Sequence, residues 1–573
     1  MTALLTENLP LMAGAPTGIK KLRELILELA VRGKLVPQDP RDEPASELLK
    51  RIAEEKAQLV AEGKLKKQKP LAKIAEEEKP FAMPANWEWV RLDALLKKIG
   101  AGSTPLGGKQ AYVADGVKFL RSQNVWNKGL RLNEVAFIPE ETHQKMSGTH
   151  VEAGDLLFNI TGASIGRCAA VPTDFDTGNV SQHVTIIRPV SGETQPFLHA
   201  VLVSQLVQKT VMDVQVGVSR EGLSIGKLTQ FLIPFPPEAE QHRIVAKVDE
   251  LMALCDRLEA QQAGAESAHA RLVQALLDSL TQANDAPDFA TSWQRLAEHF
   301  QILFTTESSI DALKQTLLQL AVIGKMVAQD PNDEPASELL EKIAEESTRL
   351  VAKGKAKKGN VKAETVANGV SGVELPAAWT WTTFDDLINP EYPVAYGVLV
   401  PGPDVADGIP FVRIADLDLV APPQKPEKSI SPEVDRQFER TRIRGGEILM
   451  GVVGSIGKLG IAPASWAGAN IARAICRLVP SDHVSKNYII WLLQSDLMRN
   501  QFLGDTRTLA QPTLNVGLIR NASTPLPPIA EQHRIVAKVD QLMSLCDQLK
   551  ARLSQARQLN EQLASTLVER AID

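Results

Sequence analysis

The feature that most constrains this chain is a long-range internal duplication. Residues 29–67 and 320–358 are identical at 28 of 39 aligned positions, and both contain the run DEPASELL. Residues 237–258 and 528–549 are identical at 18 of 22, and both contain AEQHRIVAKVD. Each pair is separated by the same 291 residues. A third pair, MPANWEWVRLDALL at 83–96 and LPAAWTWTTFDDLI at 375–388, marks where each repeated segment gives way to unlike sequence. Beyond it, residues 97–235 and 389–526 share only a skeleton. A frame kept nearly constant around two divergent inserts implies one role held fixed and another varied.

The repeated segments carry a helical pattern. Ile244, Val248, Leu251, Cys255 and Leu258 step by four and three, as do Ile535, Val539, Leu542, Cys546 and Leu549, with Leu553 extending the row. That is the seam of a coiled coil. Pro236–Pro237 and Pro527–Pro528 precede these helices, and Glu240 and Glu531 lie in the first turn, where the helix dipole favours acids. Partner helices carry Ile19, Leu22, Ile26, Leu29 and Ile310, Leu313, Leu317, Leu320, with Gly33 and Gly324 where each would close. Chain order suggests that the 239–283 and 310–324 helices form an antiparallel hairpin. The first helix, 18–33, and the last, 530–572, have no consecutive partner, so they are expected to meet and close the chain into a pseudo-two-fold ring. The inserts contain short strand-like runs, VKFLRSQNV, DLLFNIT and HVTIIRP, broken by Gly, Asn and Pro.

The expected fold is therefore α+β, with two mixed α/β domains separated by antiparallel coiled-coil helices in a circular arrangement. Its segments are an N-terminal helical piece and linker, 1–82; a first variable domain, 83–236; a central helical region and linker, 237–374; a second variable domain, 375–527; and a distal helix, 528–573. Several domains suit 573 residues, too many for one core. The charged stretches 61–79 and 353–369 read as exposed linkers.

Bulk properties remove some classes. No long uninterrupted apolar run exists to span a membrane, and residues 1–16 lack the basic leader of a signal peptide. Four cysteines without CxxC or CxxH spacing read as buried thiols in a reducing cytoplasm. The net charge of −6 does not announce a polyanion binder, and the two inserts are close to neutral.

The duplicated EQHRIVAKVD helix after a PLPP-like lead, together with the duplicated QDP and DEPASELL segment, resembles the specificity subunits of Type I restriction–modification systems. The resemblance covers essentially the whole chain. It implies that each variable domain is a target-recognition domain for one half of a split, asymmetric target in double-stranded DNA, and that the helices set the gap between halves. It implies two modification subunits, which methylate adenine, docked on the conserved helices, and two restriction (helicase–nuclease) subunits completing the complex. It also implies no catalytic residue and no cofactor in this chain. The competing class is a coiled-coil scaffold with two protein-binding lobes. The negative charge favours that reading; divergence confined to two lobes of equal size disfavours it.

Enzymatic motifs are incomplete. GVVGSIGKLG at 451–460 has the wrong spacing for a phosphate loop and Leu459 where Ser or Thr is needed. It and TGASIGR at 161–167 read as tight strand–turn–strand glycines, with phosphate contact by Arg167 or Lys458 as the alternative. Asn389-Pro390-Glu391-Tyr392 departs from an adenine-methylase tetrad at its third place. Asp416 and Asp418 read as solvated loop acids, and the histidines lack metal-site spacing. His242 and His533, at matching frame positions, read as structural or docking residues.

Base reading needs Arg, Lys, Asn or Gln at base edges, with other polar groups on phosphates. The first domain offers Arg121, Gln123, Asn124, Asn127, Lys128 and Arg131, then Ser219 and Arg220 in a Gly-flanked loop. The second offers Arg413, which aligns with Arg121; the cluster Arg436, Arg440, Arg442 and Arg444; and Arg507, Thr508, Gln511 and Asn515.

Overall fold

The computed structural model describes residues 11–66, 71–216, 222–283, 286–356, 370, 372–504 and 513–572. Residues 1–265 with 556–573 form one compact unit, and residues 266–555 form a second. The repeated frame supplies six helices: α1 (Gly18–Val31), α2 (Ala45–Ala61), α3 (Glu238–Thr281), α4 (Glu307–Val322), α5 (Ala336–Ala352) and α6 (Ile529–Ile572).

In the first unit, α1 ends as its glycine requires. Gly33 adopts φ +67°, and the Lys34 amide donates to the Leu29 carbonyl at 2.9 Å, closing the helix in a Schellman-type turn. Ile19, Leu22 and Ile26 share one core with Ile244, Val248 and Cys255 of α3 and with Ala564 of α6. The predicted seam is thus buried, each large aliphatic side chain contributing about 1.5–3 kcal/mol. Arg23 bonds Asp256 at 2.6 Å while Gln38, past the end of α1, bonds Glu240 at 2.6 Å, so α1 runs antiparallel to α3. Thr17 and Lys21 bond Glu561, and the Lys34 ammonium donates to the Ile572 carbonyl at 2.5 Å, so α1 runs parallel to the end of α6. The first and last helices meet, as the unpaired apolar stripes demand.

The second unit repeats these contacts. Lys314 bonds Asp547, Gln329 bonds Glu531 at 2.6 Å, and the Lys325 ammonium donates to the Thr281 carbonyl at 3.1 Å. Lys325 follows Lys34, and Ile572 follows Thr281, by the same 291 residues. One cap joins the chain's two ends; its copy lies inside the chain.

That cap also corrects an expectation. The 239–283 and 310–324 helices do not form an antiparallel hairpin. His269 lies against the Ile302 carbonyl and Lys325 against Thr281 and Ala283, so α4 runs parallel to the end of α3. The physical reason is a returning helix, Ala286–Glu298, whose Leu296 is buried and which reverses the chain before α4 begins. The antiparallel partner of α4 is α6.

Each variable domain is pinned at its base by pairing of its first and last strands. Glu88–Arg91 pairs antiparallel with Leu232–Phe235, and Thr380–Thr383 with Ser523–Leu526. Above this base the first domain holds two four-stranded sheets. One orders Leu96–Ala101, Val184–Pro189, Leu156–Asn159 and Cys168–Ala170; the other orders Ala136–Ile138, Val117–Leu120, Gly178–Val180 and His150–Val151. The second domain has a matching four-stranded sheet and a three-stranded one. In both domains one strand pair is parallel, Gly178–Val180 on Val117–Leu120 and Asn470–Ile471 on Ile409–Val412.

Buried Asn179 and Asn470 occupy equivalent places in these parallel pairs. Asn179 bonds His143 and Thr149; Asn470 bonds Thr441 and Asp435. All four cysteines are buried free thiols. No helix among the described residues is long and apolar enough to cross a membrane. Of the two charged linkers, the described part of the first is tied down: Glu78 pairs with buried Arg91 at 3.0 Å.

Candidate nucleic-acid interface

In both domains a strand of the sheet carrying the parallel pair delivers its arginine to the same kind of turn. Val117–Leu120 leads into Arg121, and Ile409–Val412 into Arg413. The Arg121 amide donates to Asn124 Oδ1 at 3.0 Å, and the Arg413 amide to Asp416 Oδ2 at 2.7 Å. A side-chain acceptor three residues on closes each turn, as Asx-type local bonding does. Asn124 and Asp416 are therefore buried loop fasteners. Asp416 is not the solvated acid expected from sequence: it caps Arg413, while Asp418 accepts from the Val420 and Ala421 amides. Asn124 also donates to the Arg131 carbonyl at 2.8 Å, so both ends of its amide are committed inside the loop.

After Asn124 the chain forms a two-stranded hairpin, Val125–Trp126 with Gly129–Leu130. Its turn sends Lys128 to Asp256 on α3 at 2.8 Å, and Asn127 Oδ1 accepts the Cys168 amide at 3.0 Å. Gln123 and Arg131 remain exposed. The Arg131 guanidinium stacks on Trp126, 3.6 Å from the ring centroid, and Arg167 stacks there too at 3.8 Å. Arg121 is half-buried and donates to the Glu134 carbonyl.

Arg167 arrives from the glycine turn between Leu156–Asn159 and Cys168–Ala170, an antiparallel pair. Gly162 and Gly166 take positive φ there, as Gly454 and Gly457 do in the second domain. Both runs are thus strand–turn–strand glycines, and neither is a phosphate loop. Leu223 and Leu514, at the returning side of the Gly-flanked loops, donate to the Ile160 and Val452 carbonyls next to these turns. Ser219, Arg220, Arg507, Thr508 and Gln511 lie outside the described residues. Asn515 is described: it caps the helix Val516–Asn521 through Leu518, at 2.9 Å.

The arginine cluster of the second domain divides. Arg442 Nε bonds Asp435 Oδ2 at 2.8 Å, and that carboxylate is buried. Arg436 pairs with Glu433, and Arg413 with Glu427. Arg444 stacks on Tyr392, 4.3 Å from its centroid; Tyr392 belongs to the Asn389 turn, which is a loop. Arg440 is exposed with no ion-pair partner among the described residues. The patch is less free than its composition suggested.

Sequence reasoning missed Trp126, the one aromatic in a basic and polar run, and weighed Arg167 only as an alternative phosphate contact. It also read Glu240 and Glu531 merely as first-turn acids. Both are buried and accept an indole N–H: Trp87 donates to Glu240 at 3.0 Å and Trp379 to Glu531 at 2.9 Å. Burial pushes both carboxyls above the usual range while those donors pull them back. The next helical turn adds Arg243 to Asp42 and Arg534 to Asp333. The EQHR motif is thus the latch that holds the QDP and DEPASELL segment on the long helix. His242 and His533, the histidines of that motif, are exposed.

No group of His, Cys, Asp and Glu able to hold a metal ion occurs among the described residues.

The family described as the Type I restriction modification DNA specificity domain matches residues 84–265 and 404–556. The chain is 36% identical to the Type I restriction enzyme EcoEI specificity subunit of Escherichia coli, over 97% of this chain and 94% of that one. It is also 36% identical, with the same coverage, to the EcoAI specificity subunit of that organism. A chain from a solved type I R-M system is 18% identical, covering 86% of this chain and 99% of its own, with a TM-score of 0.47. With a family match to both variable regions and relatives alike over nearly the whole length, the chain belongs to the family of Type I restriction–modification specificity subunits.

Proposed function

We propose that this chain is the non-catalytic DNA-reading subunit of a Type I restriction–modification complex. Residues 83–236 read one half of a split, asymmetric duplex target and residues 375–527 read the other. The frame helices dock two modification subunits and fix the spacing of the halves, and two restriction subunits complete the assembly in the cytoplasm. The chain needs no cofactor of its own.

One observation carries this reading. The latch and cap contacts recur at a constant 291-residue interval, while the loops at matching backbone positions differ in chemistry. Identical partners need identical docking surfaces, and unlike half-sites need unlike readers. Within the first reader, exposed Gln123 is available for base edges and Arg131 for phosphate; within the second, Arg440 and Arg444 are the corresponding groups.

The test is co-expression with a cognate modification subunit, followed by mapping of methylated adenines on host DNA. Exchange of residues 97–235 for those of a relative should change one half of a split motif and leave the other intact. Absence of methylation, or a change in both halves, would sink the proposal.

A further inference from the structure

Trp126 holds two arginines at once. Arg131 Cζ lies 3.6 Å and Arg167 Cζ 3.8 Å from the indole centroid. Two guanidinium carbons cannot both stand that close above one face without overlapping, so the arginines occupy opposite faces. Three elements brace the sandwich. Trp126 Nε1 donates to the Gln123 carbonyl at 2.8 Å, Asn159 donates to the Ser122 carbonyl at 2.9 Å, and Asn127 accepts the Cys168 amide.

Neither guanidinium makes a hydrogen bond or an ion pair among the described residues. Stacking uses the flat faces of a guanidinium and leaves its N–H edge free for a bidentate acceptor. The ring quadrupole attracts both cations, yet two like charges held this close, with no ion pair to either among the described residues, still repel. Their Cζ atoms are no farther apart than the sum of the two stacking distances, a spacing that neighbouring phosphates of one strand can match.

The second domain also sets two arginines over one ring, Arg444 at 4.3 Å and Arg477 at 5.6 Å from the Tyr392 centroid, but Arg477 is buried and donates to the Arg442 carbonyl. Among the described residues, the positions matching Trp126 and Arg167 are spent otherwise. Asp418 follows Arg413 by five residues, as Trp126 follows Arg121, and it is spent on backbone amides. Lys458, in the turn matching that of Arg167, donates to the Ile414 carbonyl at 2.9 Å.

We propose that Arg131 and Arg167, clamped on Trp126, grip two consecutive phosphates of one strand of the target. This rests on the DNA-reading function above and assigns these residues to affinity and register, not to choice of base. The first domain then carries a salt-sensitive phosphate clamp.

The test uses the full chain co-purified with a modification subunit, titrated with its target duplex across a salt series. Arg131→Gln and Arg167→Gln should each lower the slope of log affinity against log salt by about one, with the methylated motif unchanged. Trp126→Phe should keep the clamp and Trp126→Leu should lose both contacts. Equal unfolding midpoints would establish that the variants fold. Unchanged affinity and slope in both arginine variants would overturn the clamp. So would an unchanged slope with a relaxed base in the first half-site, which would mean guanine-edge reading. A wild-type chain that binds DNA without sequence preference, yet loses slope on Arg131→Gln, would support the clamp while overturning the specific-reading function. A wild-type chain that binds no DNA would overturn both.

Discussion

The turns at Arg121 and Arg413 share a backbone and differ in chemistry. In each, the arginine amide is fastened by a side chain three residues on, Asn124 in one and Asp416 in the other. Beyond the fastener, exposed Arg131 and half-buried Arg167, the latter from the neighbouring glycine turn, stack on the Trp126 indole with no ion-pair partner among the described residues. In the second domain Arg413, Arg436 and Arg442 are answered by Glu427, Glu433 and Asp435. The frame behaves in the opposite way: Glu240 and Glu531 hold the same indole and the same amide within 0.1 Å of each other. A position that must serve identical neighbours keeps its side chains, and one that meets different neighbours keeps only its backbone.

The frame half of that contrast is the one most easily broken by mutation. Glu240→Ala leaves the buried Trp87 indole N–H without its acceptor, while exposed Gln38 keeps the Gly33 carbonyl, and the change should cost about 1–3 kcal/mol. Glu531→Ala should cost the same in its own unit, read as the fall in the denaturant midpoint of the transition assigned to that unit. A clear inequality between the two would mean that the latches are alike in geometry and unlike in load.

The variable half is sharpened by neighbouring arginines. Arg442→Ala takes the arginine partner from the buried Asp435 carboxylate, leaving it the Asn470 amide, and should lower the denaturant midpoint of the second unit by less than the loss of either latch glutamate. Arg440→Ala should leave the midpoint unchanged and lower the salt slope of DNA binding by up to about one. If Arg442→Ala flattened the slope without loss of stability, its pairing with Asp435 would not describe the working protein.

The duplication, the helix seams, the closing glycines and the meeting of the chain's ends were all legible in the sequence, because each depends on local period or on a repeat. The parallel run of α4 along the end of α3 was not. It turns on the helix Ala286–Glu298, which lies outside the repeated segments that carry the pattern. Site residues were legible only as types. Gln123 and Asn124 are one residue apart and look alike in sequence, yet one is exposed and the other fastens the loop. Lys128 is drawn off by Asp256, a residue more than a hundred positions away. Which polar group faces outward is decided by such distant partners, and no spacing rule records them.

The smallest expected effect separates the two caps. Lys34 and Lys325 make equivalent contacts, but the junction of α1 with the end of α6 adds a carboxylate, Glu561, for which the 291-residue repeat offers Ala270. Hydrogen bonds from Lys21 and Thr17 hold the Glu561 carboxyl down to about 2. A carboxyl lowered in the folded state stabilises it above the ordinary value of 4.5, and that contribution is lost as pH falls through about 2. The difference in denaturant midpoint between wild type and Glu561→Gln should therefore be constant near neutrality and shrink as the pH is taken from about 5 to about 3. Because the pair is partly exposed, added salt should shrink it as well. A difference that held steady down to the lowest pH would mean that Glu561 acts through packing of its stem, and the chain ends would then be joined by the lysine cap and the apolar seam alone.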